Sequence, residues 1–444
     1  MNFSRLFSRP FVAIALAIGL CLSFGTAARA FCGFYVAKAD ADLFNQASQV
    51  ILARDGDRAV ITMSNDYEGD LDEFAMVVPV PVVLQEEQVH VGDRDIIDRL
   101  DAFSAPRLVE YFDPDPCARE FELWQGRALN DAAAPSLESS NRRREQVLGV
   151  TVEAEFSVGE YDIQILSATE SDGLETWLRQ NGYRIPDNAQ PLLRPYIRQG
   201  MKFFVAKVNL EEFERSEFQY LRPLQIAYES PKFMLPIRLG MANASGDQDL
   251  IVYALSPQGQ VELTNYRTVK VPSNMDIPVF VKSEFDDFYT DMFETAYERE
   301  NKNVAFLEYA WDIRSCDPCS ATPPSAEELR KAGVFWLRPG QSPNAFVTRL
   351  HVRYTRDRFP EDLQFQETSN RQNFQGRYVL RHPFGGAANC PAGRQYRRGL
   401  GDRFEREAQT LANLTGWAID DIRAKLPNIP EAAPVRWWEE LWGN

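Results

Sequence analysis

Cys316-Asp317-Pro318-Cys319 is the sharpest chemical motif in the chain. A CxxC pair exchanges disulfides when its first sulfur is held as a thiolate at a helix N-terminus, where the helix dipole lowers its pKa. The residues that follow, Ser320-Ala321-Thr322-Pro323-Pro324, resist immediate helix formation, so the next helix starts only near Ser325. The motif therefore favours a structural pair, bridged locally or joined to distant cysteines such as Cys117 or Cys390, over a redox centre acting through Cys316 and Cys319. A zinc site needs two further ligands, and no second CxxC or paired-histidine motif supplies them.

The chain has only three histidines, His90, His351 and His382. His90 and His351 stand in strand-like apolar contexts, which point to hydrogen-bonded structural roles. His382 precedes Pro383-Phe384-Gly385-Gly386, a glycine-rich loop leading to Cys390, so a Cys-His pairing is open there. No nucleophile with an orienting third group accompanies it. Asp66, Glu68, Asp70, Asp72 and Glu73 surround Gly69. Hard oxygen ligands on a turn suit calcium, but the spacing misses the EF-hand loop and reads first as a solvated turn. GxSxG, P-loop and dinucleotide fingerprints are all missing, and no cofactor is implied.

Compartment is legible at the N-terminus. Arg5 and Arg9 precede an uncharged apolar run from Phe11 to Phe24, and Ala28-Arg29-Ala30 follows as a small-x-small cleavage pattern. The run is roughly 14 residues against the ~20 a spanning helix needs, so it reads as an export signal cut near Ala30. Of six cysteines, Cys21 leaves with that signal, and Cys32, Cys117, Cys316, Cys319 and Cys390 remain as disulfide candidates in an oxidising space. An odd count leaves one thiol over. The formal net charge of −16 argues against nucleic acid and against adsorption to anionic lipid. No later apolar run reaches membrane-spanning length. A periplasmic or secreted protein is expected, its partner an unidentified envelope protein or ligand.

The elements that must position these residues alternate between strands and helices. Gln49 to Ala53 and Ala59 to Met63 form a hairpin about Asp55-Gly56, and Phe74 to Val80 continues that sheet until Pro79 and Pro81 end it or place it at an edge. Asp93 caps a short helix that turns Ile96, Ile97 and Leu100 inward. Tyr161 to Leu166 alternates as a strand. Ser171 starts a helix bearing Leu174, Trp177 and Leu178, with Asn181-Gly182 as a left-handed stop. A further helix carries Leu192, Leu193, Tyr196 and Ile197, with Pro195 in its first turn or at a kink. Lys202 to Leu210, Leu250 to Leu255, Val261 to Tyr266, Val304 to Ile313, Phe346 to Tyr354 and Tyr378 to Leu380 read as strands.

The clearest helix spans about Glu284 to Glu300, with Ser283 as its cap. Phe285, Phe288, Tyr289, Met292, Phe293, Ala296 and Tyr297 recur at the helical period. This stripe either packs into a core or lines a ligand groove, and the spacing favours the core. The last residues, with Trp437, Trp438 and Trp442 beside Glu439 and Glu440, favour docking on the protein body over a membrane interface. The polar stretch from Asn130 to Glu145 has no apolar period and marks a boundary. The organisation expected is a signal peptide over 1–30, a β-rich domain over 31–150, an α+β domain of one or two subdomains over 151–400, and a helical tail over 401–444. The fold class is α+β, β-rich, with mostly antiparallel sheets and several packed helices.

Several segments together resemble a known family. They are Cys32-Gly33-Phe34-Tyr35-Val36, the hairpin with Phe74 to Pro81, Tyr161-Asp162-Ile163 and Trp177-Leu178-Arg179-Gln180-Asn181-Gly182-Tyr183. The CDPC motif and Thr348-Arg349-Leu350-His351-Val352-Arg353-Tyr354 complete the set. In these the chain is similar, over most of residues 31 to 400, to DUF2330, a family of exported bacterial proteins of unknown function. The resemblance implies export and a shared fold, and brings no activity, cofactor or site residue. The leading expectation is a non-enzymatic envelope module, binding or structural, stapled by disulfides. The alternatives are a thiol–disulfide oxidoreductase using Cys316 and Cys319, and an envelope hydrolase with paired carboxylates.

Overall fold

The computed structural model describes residues 34–36, 44–68, 75–118, 150–181, 189–215, 221–242, 246–316, 321–338 and 340–427. Its fold class is α+β, with four mostly antiparallel sheets and eight α-helices among the described residues. A nine-stranded sheet forms the centre. It runs β14 (Arg267–Lys270), β16 (Val304–Asp312), β17 (Phe346–Tyr354), β12 (Gln248–Ser256), β2 (Phe44–Asp55), β3 (Arg58–Glu68), β10 (Leu224–Glu229) and β5 (Val89–Val91). The short β19 (Phe374–Gln375) pairs with β16 off this path. The hairpin of β2 and β3 closes through a two-residue turn in which Gly56 takes φ +61°, the left-handed conformation that glycine adopts without steric cost.

A five-stranded sheet lies against the first: β1 (Phe34–Val36), β4 (Ala75–Val80), β9 (Lys202–Val208), β8 (Tyr161–Ala168) and β7 (Val150–Val158). This corrects one expectation, because β4 does not extend the β2–β3 hairpin but pairs with β9 and β1. Among the described residues β1 opposes only Ala75 to Val77, while Pro79 pairs with Phe203 of β9. Two three-stranded sheets complete the set. One is β11 (Met234–Leu235), β18 (Leu363–Glu367) and β13 (Val261–Leu263); the other is the parallel β15 (Met275–Ile277), β20 (Arg377–His382) and β6 (Arg107–Phe112). Both large sheets draw strands from either side of residue 150.

Alternation sorts the side chains into layers. Val50 and Leu52 face one way and meet Ile163, Ile165 and Phe204 of the five-stranded sheet in a sheet-on-sheet core. Ile51 and Ala53 face the other way, under α1 (Asp95–Ser104) and α6 (Ala326–Lys331). The outer face of the five-stranded sheet is covered by α2 (Ser171–Gln180) and α3 (Ala189–Arg198) through Leu174, Leu178, Leu193 and Tyr196. The short α4 (Leu210–Arg215) follows β9.

Pro195 sits in the interior of α3 and not in its first turn. The cap of α2 is Glu170, one residue before Ser171, and Asn181 ends that helix at φ −85° while its side chain donates to the Trp177 carbonyl. The left-handed stop expected of Gly182 lies outside the described residues.

The aromatic helix is α5 (Phe285–Arg299), with Glu284 and not Ser283 at its cap. Phe288, Met292, Phe293, Ala296 and Tyr297 are buried against β16, β20, α7 (Pro391–Thr415) and α8 (Ile419–Ala424), so the stripe is core. The linker at Asn130 to Glu145 and the tryptophans at 437, 438 and 442 lie outside the described residues.

Candidate functional site

A highly charged cluster among the described interior residues is built around a β-bulge. Along β16 and β17 the register runs Leu307 to Leu350 and then Tyr309 to Arg349, leaving Glu308 as the extra residue. Glu308 shares a face of the sheet with Arg349, His351 and Arg353, which stand at alternate positions of β17. It is 1 % exposed. It accepts from Arg349 Nε at 2.5 Å, from His351 Nδ1 at 2.9 Å and from the Tyr289 hydroxyl.

The network extends in both directions. Arg349 also donates to Asp101 of α1 at 2.6 Å, and the Tyr253 hydroxyl donates to the same carboxylate at 2.7 Å. The second imidazole nitrogen, Nε2, meets Asp249 at 3.0 Å. Arg353 holds Asp249 through two bonds of 2.9 Å and reaches Glu294 of α5 at 2.5 Å. The imidazole lies flat on Phe293, with ring centroids 3.9 Å apart.

Electrostatics follow from this geometry. Burial pushes the Glu308 carboxyl up, but Arg349 and His351 outweigh it and hold the group at about 2. Asp249 is likewise driven well below the usual carboxylate range: burial opposes ionisation, and His351 and Arg353 overcome it. Burial lowers the His351 pKa, yet the two carboxylates raise it overall. Both ring nitrogens face carboxylate acceptors, so both carry protons and the ring is an imidazolium. An imidazolium pinned at both nitrogens has no lone pair to take a proton from a substrate. His351 is thus a charged strut between β12, β16 and β17, in keeping with its strand context.

The other candidate residues sit elsewhere. His382 meets Glu110 at 2.8 Å and stacks on Phe112 at 4.4 Å, so it pairs with a carboxylate and not with Cys390. Cys117 and Cys390 form a disulfide with each other across 273 residues. Cys316 is also disulfide-bonded, and its partner lies outside the described residues, as do Cys32 and Cys319. The helix after the CDPC motif begins only at Ala326, where Ser325 and Glu328 form a reciprocal capping box. The carboxylates of Asp66, Glu68, Asp70, Asp72 and Glu73 lie outside the described side chains. Among the described residues, no group of three His, Cys, Asp or Glu is arranged to hold a metal ion.

His90 opens onto a broad surface concavity. It projects from β5 into a groove of about 790 Å3 whose walls include Asp93, Arg94 and Asp95 at the start of α1, and Glu327, Arg330 and Lys331 of α6. A second hollow of about 390 Å3 shares His90, Gln225 and Arg330 and continues toward Gly333 and Phe335. Gln225 braces the floor by donating to Thr62 Oγ1 at 2.8 Å and to the Lys331 carbonyl at 2.6 Å. Gly333 closes the far end with φ +89°, a turn in which a Cβ would fall 2.5 Å from Val60 Cγ1. By contrast, the apolar crevice bounded by Ile61, Val78 and Ile226 has room for only about 10 Å3 and is a packing seam. The volumes of the two hollows fall where ligand clefts fall, at roughly 300–1,000 Å3.

Sequence alone does not reveal Glu308, Asp249 or the groove. The alternation Arg349-x-His351-x-Arg353 with apolar residues between is the one available signal of a polar face.

A family model described as "Uncharacterized protein conserved in bacteria (DUF2330)" matches residues 26–366. No curated protein and no solved structure matches the chain.

Proposed function

The chain belongs to the bacterial family DUF2330, and on that footing we propose that it is an extracytoplasmic binding protein whose ligand site is the His90–Arg330 groove. The observation that carries this reading is the groove itself: two adjoining hollows of ligand size, floored by a braced sheet face and rimmed by charges of both signs. Alternating charge of this kind suits a polar, zwitterionic or peptide ligand better than a hydrocarbon. Two further features support the compartment. The leader pattern through Ala30 is that of an export signal. The Cys117–Cys390 bridge suits an oxidising space. No helix among the described residues is long and apolar enough to cross a membrane.

Binding fits better than catalysis because the richest cluster of titratable groups is spent internally. Glu308, Asp249, His351, Arg349 and Arg353 pair with one another in the sheet, where with Asp101 and Glu294 they tie three strands to two helices. The test is photo-crosslinking in cells, with a photoreactive residue placed at His90 or Arg330 and, as control, at Glu211 on the exposed face of α4. Discrete adducts from the groove positions alone support the reading. Identical adduct patterns from all three positions, or none from the groove, overturn it.

A further inference from the structure

The helix that the CDPC motif lacks stands instead behind Cys390. Residue 390 is the N-cap of α7, a 25-residue helix with Pro391 at its first position. The Gly393 amide donates to Cys390 Sγ at 3.2 Å. Gly393 is itself required there, since a Cβ would meet the Ala388 carbonyl oxygen at 2.5 Å. The first turn of α7 carries no acid. Arg394 and Arg397 lie in the first two turns of α7. These two guanidiniums bond backbone carbonyls, Arg394 to Asn389 and Arg397 to Gly386, so their charge is not cancelled by those partners. The helix dipole and the Gly393 amide stabilise negative charge on this sulfur, and the first two turns of the helix add net positive charge, while the Asp115 carboxylate, which accepts from the Cys117 amide at 2.8 Å, opposes it.

Its partner sulfur is differently placed. Cys117 is exposed, beyond the end of β6, while Cys390 is partly buried. The two ends of the bridge are also held together by other bonds. Tyr396 and Arg403 of α7 both donate to Asp113, four residues before Cys117, and Tyr396 also accepts from the Phe384 amide. Opening the bridge therefore leaves α7 tethered to β6.

We propose that Cys117–Cys390 is an exchange-competent disulfide, reduced by a small or protein dithiol that attacks the sulfur of the more exposed residue, Cys117, and expels Cys390 as a stabilised thiolate. In the first step a donor thiolate forms a bond to Cys117 Sγ, the Cys117–Cys390 bond breaks, and its electron pair leaves on Cys390 Sγ. In the second, the donor's other thiol, deprotonated, attacks the donor sulfur of the mixed disulfide and releases Cys117 as a thiolate, which takes up a proton. The donor is oxidised to its disulfide by two electrons and the protein is reduced by two. A good leaving thiolate accelerates the first step, because exchange is faster the lower the leaving thiol's pKa.

The test uses the full mature chain with dithiothreitol as the probe. The pH dependence of iodoacetamide labelling at Cys390 is followed by peptide mass mapping in Cys117→Ser and, in parallel, in the wild-type chain reduced by the dithiol. The expected result is a Cys390 midpoint below about 7, against about 8.5 for an ordinary thiol, with far-UV circular dichroism unchanged. Arg394→Gln with Arg397→Gln should move the midpoint upward. A midpoint near 8.5 in both preparations overturns the proposal. So does a bridge that opens only in parallel with loss of the dichroism signal. If Cys117→Ser does not fold, the midpoint measured in the reduced wild-type chain decides between the two outcomes.

Discussion

Glu308 and Tyr309 are consecutive in the chain yet point to the same side of β16, because the register with β17 shifts between Leu307 and Tyr309. Without that bulge, strand alternation would turn residue 309 into the sheet-on-sheet core. With it, Glu308 enters the ion network while Tyr309 packs against Phe103.

Removing the anion should therefore cost more than removing a surface pair. In Glu308→Gln, Arg349 and His351 keep their charge and their outer partners Asp101 and Asp249 but lose the buried anion between them, and removing one partner of a buried ion pair typically costs about 3–5 kcal/mol. Urea midpoints of wild type, Glu308→Gln, His351→Gln and the double variant give the coupling directly. A coupling under about 0.5 kcal/mol would mean that the two groups do not share one network.

Acid should dismantle the same cluster. The Glu308 carboxyl titrates at about 2 in the fold and near 4.5 when free, so its stabilisation is complete above about pH 4.5 and is lost as pH falls toward 2. Asp249 acts in the same direction. His351 has the opposite sign: its contribution is full below 6.5 and lost as pH rises through its elevated pKa. Denaturant melts at pH 7 and pH 3 should differ by roughly 2 kcal/mol on account of Glu308, and Glu308→Gln should flatten that difference.

Glu407 of α7 works against stability at neutral pH. Burial pushes its carboxyl up to about 7; Arg403, 3.4 Å away, pulls down, and Asp276 and Asp113 push up. The fold favours the protonated form, so this contribution is present below about pH 4.5 and is lost as pH rises through 7. Glu407→Gln should stabilise the fold at pH 8 by on the order of 1–2 kcal/mol, raising the melting temperature there, and leave pH 5 nearly unchanged. Thermal melts at the two pH values check it; equal shifts at both would contradict the assignment.

The aromatic face of α5 and the groove should separate cleanly under mutation. Phe288 is fully buried and meets Tyr378 edge-on at 4.8 Å, so Phe288→Ala should cost about 3–5 kcal/mol in chemical denaturation. Crosslinking from the groove should persist in that variant at temperatures where it remains folded.

Gly333 joins stability to the groove. Gly333→Ala combines a left-handed backbone with a clash on Val60, and should destabilise by about 1–3 kcal/mol. Denaturation midpoints read the cost, and reduced crosslinking from His90 reads the shift of the groove floor.

Local periodicity is enough for much of the architecture. β17 falls on Phe346–Tyr354 as the alternation requires, the β2–β3 hairpin turns at Gly56, and the stripe from Phe285 to Tyr297 is core. Pairing between distant strands is not legible. Val77 carries the same apolar alternation whether β4 joins the hairpin or β9, and only the three-dimensional register decides. The bulge at Glu308 is invisible for a similar reason, since an extra residue has no composition of its own. Asp249 and Glu294 reach Arg353 from elements 104 and 59 residues away. The Cys390-Pro391 start of α7 does carry a readable signal, because proline favours the first helical position, but nothing in CxxC spacing points to it.

The pairing at the middle of the nine-stranded sheet sets the order in which the protein can be assembled. β2 lies parallel to β12, with Ser48 opposite Leu250, so neighbours in the finished sheet are about 200 residues apart along the chain. As the chain emerges from its N-terminal end, the β2–β3 hairpin must wait with the long apolar edge of β2 unpaired until β12 appears. Such an edge invites pairing with other chains, and closing so long a loop slows folding. The same strand that anchors the finished core is thus, until β12 arrives, an open edge prone to aggregation.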